Sequence, residues 1–292
     1  LKDWGMQVMA GQVTTGSALA VAPESVADNM FNLTPSASAE ALATSGDNVF
    51  QMCFTDPNQS SASAQYIADQ GLATKVAVIW KNDDVYSKGI HDKFCEKAAE
   101  LGIEVVSDTT FADGNDTDFS VQLKTAQHAG ADLVFLPLYY QPASLILAQA
   151  NSMGYAPTWF GVDGMDGILT MEGFDTSLAE GVMLLTPFNA DSTDERTQNF
   201  VAEYQKRFGE VPNQFAADGY DCMYALYEAC LKAGVTADMS AQDICEQLIA
   251  TFTASDFSVD GLTGSGMTWG TNGEVSKAPL VFQVENGGYT AR

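Results

Sequence analysis

Residues 75–111, KVAVIWKNDDVYSKGIHDKFCEKAAELGIEVVSDTTF, constrain the fold more than any other stretch of this chain. Residues 76–80 form a continuous apolar run, the pattern of a parallel strand covered on both faces. A polar stretch, 81–84, follows, and Asp83 or Asp84 is suited to cap a helix. Ile90, Phe94 and Ala98 then recur at fourfold spacing, with Leu101 closing an apolar stripe. Gly102 ends the helix where a left-handed residue is wanted, and 103–106 supplies the next strand. A βαβ unit of this kind places its ligand-facing residues in the loop after its first strand, where Tyr86 stands.

The same alternation runs through most of the chain. Residues 6–10, 30–33 and 49–54 read as strands; 18–29 reads as a helix interrupted near Pro23, and 58–70 as another helix. After the central unit come helices over 118–129 and 142–152 and strands over 132–138, 158–161 and 181–186. Repeated βα units predict parallel sheets with helices on both faces. Beyond Pro187 the rhythm turns helical, over 194–208, 213–233 and 241–251, with Phe200, Tyr204 and Phe208 as an apolar stripe. The stretch 261–290 returns to strands and glycine turns. At 292 residues the chain exceeds one comfortable core, so two similar lobes are expected. Ahead of the first strand stands only a partial helical turn over 1–5, where a doubly wound sheet has a strand and a helix. An opening βα unit is therefore expected upstream, about 50–60 residues with its loops.

Composition and motifs exclude several function classes. Thirteen Lys and Arg stand against 38 Asp and Glu, a formal charge of -25 that repels a phosphate backbone and argues against nucleic-acid binding. No run approaches the ~18 apolar residues of a membrane helix. There is no G-x-S-x-G elbow, H-E-x-x-H pair or phosphate-binding G-x-x-x-x-G-K-[ST] loop. Neither histidine, His91 or His128, is paired with a nucleophile, so no enzyme and no cofactor is expected. His91 and Cys95 lie four apart on one helix without obvious further metal ligands. Residues 113–118 resemble a calcium loop but place Asp118 where glycine is required and Lys124 where glutamate is required. The five cysteines read as small buried hydrophobes, with a Cys53–Cys95 bridge left open.

What remains is a set of small polar and aromatic residues placed just after strands. Thr14, Thr15, Gly16 and Ser17 follow the first strand, offering hydroxyls and backbone N–H groups at a helix N-terminus, a ready place for a carboxylate. Ser36, Ala37 and Ser38 follow the second strand; Tyr86, Tyr139, Tyr140 and Asp163 follow later ones. One acid among aromatics, facing hydroxyls and a helix N-terminus, suits a zwitterion.

The ordered runs GQVTTGS, LTPSASAEAL, KVAVIWKNDDVYSKG, DLVFLPLYYQPASLILAQANSMGY and WFGVDGMDG, with FAADGYD and the 261–273 segment, carry a resemblance covering nearly the whole chain. They resemble the type I periplasmic binding proteins, specifically the branched-chain amino-acid (Leu/Ile/Val-type) receptors of ABC transporters. The resemblance implies two doubly wound α/β lobes joined by three crossovers that close on a ligand. The first lobe would take 1–71 plus 190–252, the second 72–189 plus 253–292. It implies a monomer outside the cytoplasm, periplasmic or lipid-anchored at the cell surface, that delivers an amino acid to permease subunits. A sensor or receptor domain recognising an amino acid, amide or nucleoside is the alternative use of the fold. Thr15 then stands where the family sets a hydroxyl on the ligand carboxylate. Ala37 and Ser38, with Ser36, match the loop that contacts the ligand's α-groups. Tyr86 and Tyr139 match cleft aromatics, Asp163 the acid for the ammonium, and Tyr220 a position near the side-chain pocket. The family's serine-rich turn is Thr-Thr-Gly-Ser here, which leaves open which hydroxyl makes the contact.

Overall fold

A computed structural model describes residues 2–292; Leu1, within the expected opening turn, lies outside the described residues. In chain order the first elements are β1 (Met9–Ala10), α1 (Thr15–Ala27), β2 (Asn32–Thr34), α2 (Glu40–Ala43) and β3 (Val49–Gln51). Next come α3 (Asp56–Asp69), β4 (Lys75–Lys81), α4 (Val85–Leu101), β5 (Glu104–Phe111), α5 (Ser120–Ala129) and β6 (Leu133–Leu136). They are followed by α6 (Tyr140–Ser152), β7 (Thr158–Gly161), β8 (Met183–Thr186) and α7 (Glu195–Phe208). The chain finishes with α8 (Gln214–Ala233), α9 (Ala241–Phe252), β9 (Leu280–Glu285) and β10 (Gly288–Ala291). Among the described residues, no helix is long and apolar enough to cross a membrane.

Two compact units emerge, and the chain passes between them three times. The first comprises Leu1–Thr55 and Phe215–Ala278, the second Asp56–Gln214 and Pro279–Arg292. Residues 56–71 and 190–214 thus belong to the second unit and 253–278 to the first, each opposite to the expected allocation. Packing explains the difference. Ser60 of α3 hydrogen-bonds the Ile90 carbonyl of α4 at 3.0 Å. Phe200 of α7 meets Phe188 edge-on at 6.0 Å, and Trp269 meets Phe252 at 4.7 Å.

In the first unit β1, β2 and β3 form a parallel sheet in that order, with Leu33 opposite Ala10 and Phe50. Phe31, Leu33, Phe50 and Met52 bury one face against Ala225, Ala229, Leu248 and Phe252 of α8 and α9. On the other face Ala18, Ala22 and Leu42 let α1 and α2 approach closely. Pro23 does not interrupt α1; it sits on the exposed side, where the carbonyl it leaves unpaired can reach water.

An ionic network is sealed in the same unit. Lys277 Nζ pairs with Asp218 at 3.1 Å and donates to Thr263 Oγ1 at 2.6 Å. Thr263 Oγ1 donates in turn to Asp221, which also accepts the Leu262 and Thr263 N–H groups. Burial pulls the Lys277 pKa down, but Asp218 and its neighbours outweigh it and hold the ammonium charged.

The glycine turns of 261–273 bring backbone against β3. Gly273 has φ +78, and a Cβ there would lie 2.1 Å from the Val49 carbonyl oxygen. Gly273→Ala is therefore expected to cost about 2–3 kcal/mol, combining a left-handed strain with a clash against fixed backbone. Urea denaturation of the variant checks this; a loss under about 0.5 kcal/mol would mean that the turn yields freely.

In the second unit seven strands run in the order β10-β9-β8-β7-β6-β4-β5. Strands β4 to β8 are mutually parallel, and β9 and β10 add antiparallel. The sheet is buried on both faces, as the apolar run predicts. Val76 and Val78 face a core with Phe94 of α4 and Phe135, whose rings stack at 3.8 Å. Ala77 and Ile79 face the other, with Leu123 of α5 and Ile146 of α6. Asp84 caps α4 by accepting the Tyr86 N–H, and Gly102 ends it at φ +75.

Candidate functional site

The predicted residues fall into one group in each unit. In the first unit, Thr15 opens α1 and is 1% exposed, its Oγ1 accepting the Ser38 N–H at 3.3 Å. The structure therefore joins Thr15 to the loop after β2. Gln51, at the end of β3, shapes that loop: its Nε2 donates to the Ala37 carbonyl at 2.9 Å and to the Ala39 carbonyl at 3.3 Å. Thr34 Oγ1 also donates to the Ala37 carbonyl. Ser36 and Ala37 are buried, and Ser38 is wholly so. Among the described residues its Oγ finds no hydrogen-bond partner, although a buried hydroxyl normally has one. This hydroxyl, beside the N-terminus of a 13-residue helix, offers a donor and a favourable field for an anion. Tyr220, in the second turn of α8, is half-buried with its ring 4.5 Å from that of Tyr224.

In the second unit, Asp163 follows β7 and is 1% exposed. Tyr86 Oη donates to its Oδ1 at 2.5 Å and accepts the Gly164 N–H at 2.9 Å. That approach explains the second glycine of G-V-D-G, since a Cβ on Gly164 would sit 2.6 Å from Tyr86 Oη. Tyr139, at the start of α6, stacks on Tyr86 with centroids 4.6 Å apart. Burial raises the Asp163 pKa, against hydrogen bonds from Tyr86, Gln59, Gly164 and Gln214 that stabilise the carboxylate. Tyr86 is pushed well above its usual value by burial and then by Asp163, so it remains a donor. Three predicted residues, Tyr86, Tyr139 and Asp163, are thus brought together around one buried carboxyl group.

Sequence reasoning missed the glutamines that hold this group in place. Gln59 Oε1 accepts the Asp163 N–H at 3.3 Å, and its Nε2 donates to Asp56. Gln214 Nε2 donates to the Asp163 carbonyl at 2.7 Å. Gln214 N–H meets Asp166, whose carboxyl is pushed up to about 6 by burial. Glutamine inside a helix pattern carries no signal of its own, so nothing in the sequence marks these two. A separate cleft of about 450 Å³ in this unit is lined by Tyr140, Thr170, Glu172, Tyr204 and Asn213, among others; of the residues singled out after strands it takes Tyr140 and none of the others. Among the described residues no disulfide is formed, which removes the Cys53–Cys95 bridge.

A Leu/Ile/Val-binding protein homolog from Brucella melitensis is 30% identical over 238 residues, 81% of this chain. The chain spans only 63% of that relative's length. A branched-chain amino acid transporter substrate-binding protein from Streptococcus pneumoniae, solved in complex with isoleucine, superposes with a TM-score of 0.87 at 24% identity. That likeness covers 99% of this chain and 80% of the other. A solute-binding protein of an ABC transporter from R. palustris, in complex with benzoate, gives 0.85 at 20% identity over 99% of this chain and 78% of that one. Residues 1–289 match the family described as periplasmic binding protein, and the chain belongs to that family, with the type I fold.

Proposed function

We propose that this chain captures an amino acid, branched-chain or related, outside the cytoplasm and delivers it to the permease subunits of an ABC transporter. Ser38 carries the reading: a wholly buried hydroxyl without a partner among the described residues, hydrogen-bonded through its backbone to Thr15 at a helix start. Such a group suits a ligand carboxylate, which accepts charge-assisted hydrogen bonds. Asp163, with Tyr86 and Tyr139, would take the ammonium, and Tyr220 would lie toward the side chain. The Leu/Ile/Val-binding relative supports this ligand class, and the transporter proteins among the solved structures support the destination.

A second reading, an aromatic carboxylate, is favoured by the stacked Tyr86–Tyr139 pair and shares the carboxylate half of the site. The test is a thermal-shift screen with leucine, isoleucine, valine and benzoate, followed by calorimetry. A ligand that binds only the native state raises the midpoint by mass action. An aliphatic amino acid is expected to do so, and Ser38→Ala to weaken it about tenfold by deleting one hydrogen bond to a charged group. A response to benzoate alone selects the second reading. Silence from all four at millimolar concentration would overturn both.

A further inference from the structure

Away from these residues, on the edge of the second unit's sheet, α4 and β5 bring together His91, Cys95 and Asp108. We propose that they form a zinc site with one position open to solvent. Their ligand atoms all lie within 4.8 Å of one another. His91 Nε2 is 3.1 Å from Asp108 Oδ2 and 3.5 Å from Cys95 Sγ. Tetrahedral zinc with ordinary Zn–N, Zn–O and Zn–S bonds sets its ligands about 3.3–3.6 Å apart, so these two edges are nearly in place. The sulfur and the carboxylate oxygen, within 4.8 Å of one another, would draw together to complete the third.

The surroundings fit a metal centre as well. His91 Nδ1 meets Asp92 at 2.8 Å, the carboxylate partner that fixes a ligating imidazole with its Nε2 turned to the metal. Trp80 stacks on the imidazole at 4.1 Å, and its indole N–H donates to Asp108 Oδ1 at 2.7 Å, leaving Oδ2 for an ion. His91 is buried, Cys95 half-buried and Asp108 exposed, so the ion enters from solvent on the carboxylate side and a water takes the fourth position. The net charge of -25 draws cations toward the surface. Burial, then Asp108 and Asp92, push the free Cys95 thiol up to about 12, so zinc displaces its proton to solvent on binding. The bound ion would tie the edge strand β5 to the helix that carries Tyr86. This assignment stands on the second unit alone and is independent of the amino-acid reading.

Cobalt(II) replaces zinc as a visible probe. The intact chain is expected to take up one cobalt, with a near-ultraviolet thiolate-to-metal charge-transfer band that stoichiometric zinc abolishes. Calorimetry of zinc in buffers of different ionisation heat should count about one proton released per ion. Cys95→Ser should remove the band, and Asp108→Asn should weaken zinc binding at least tenfold, both without disturbing the thermal response to amino acids. Absence of the band in the parent overturns the site and leaves His91 hydrogen-bonded between the two carboxylates of Asp92 and Asp108. Zinc binding that persists unchanged in Cys95→Ser also overturns it, reducing the uptake to surface acids.

Discussion

Asp163→Asn is expected to fold as well as the parent and to lose two to three decades or more of affinity for its amino acid. The substitution keeps the shape of the side chain and an oxygen for the Tyr86 hydroxyl, which now lies 2.5 Å from Oδ1. It removes the charge. Burial already raises the Asp163 pKa, so the folded protein without ligand gains nothing from that charge and should be no less stable without it. A buried ammonium facing an amide instead of a carboxylate is stranded, at about 3–5 kcal/mol of binding. Benzoate, which has no ammonium, should bind parent and variant alike if it binds at all. Calorimetry with the best ligand from the screen, with folding checked separately, reads both effects. Binding within about threefold of the parent, a gap under 1 kcal/mol, would remove Asp163 from the site. Its bonds to Tyr86, Gln59 and Gln214 would then serve only to fasten the strand end.

The largest expected loss of stability comes from Lys277→Met. Lys277 and Asp218 are 1% and 0% exposed at their side chains, and the pair is 3.1 Å apart. Methionine fills the space of the aliphatic stem but leaves the Asp218 carboxylate buried without its cation. Removing one member of such a pair costs about 3–5 kcal/mol, whereas replacing both with apolar groups of similar volume is often neutral or better. Urea denaturation at pH 7 should show the single variant destabilised by that amount and the double variant, with Asp218→Leu, largely restored. A single-variant loss below about 1 kcal/mol would show that water or another cation reaches Asp218, as at an exposed pair. The Thr263 and Asp221 hydrogen bonds would then carry the network without the lysine.

The legible parts of this fold are those specified within a few neighbouring residues. The run at 76–80 marks a strand buried on both faces, and β4 alternates its side chains between two cores. Asp84 and Gly102 bound α4 as their chemistry requires, one accepting an N–H and the other taking a positive φ. Tyr86, Tyr139 and Asp163 could be grouped because each follows a strand, and the structure brings them into contact around one carboxyl group. Pro23 misled for the converse reason: its local cost is real, but exposure on one helix face relieves it.

Tertiary structure decided what lies between distant residues. Gln59 and Gln214 reach Asp163 across 104 and 51 positions, and Lys277 reaches Asp218 across 59. Asp108 completes the cluster of His91 and Cys95 from a neighbouring strand, seventeen residues from the histidine. The allocation of 56–71, 190–214 and 253–278 to their units is of the same kind, set by which helix or ring each segment packs against. Periodicity, caps and turns are properties of backbone within one or two turns of chain, so a single sequence displays them. A buried polar group must instead find a partner somewhere in the folded molecule, and the energy that selects the partner depends on burial and distance, which exist only once the chain has closed.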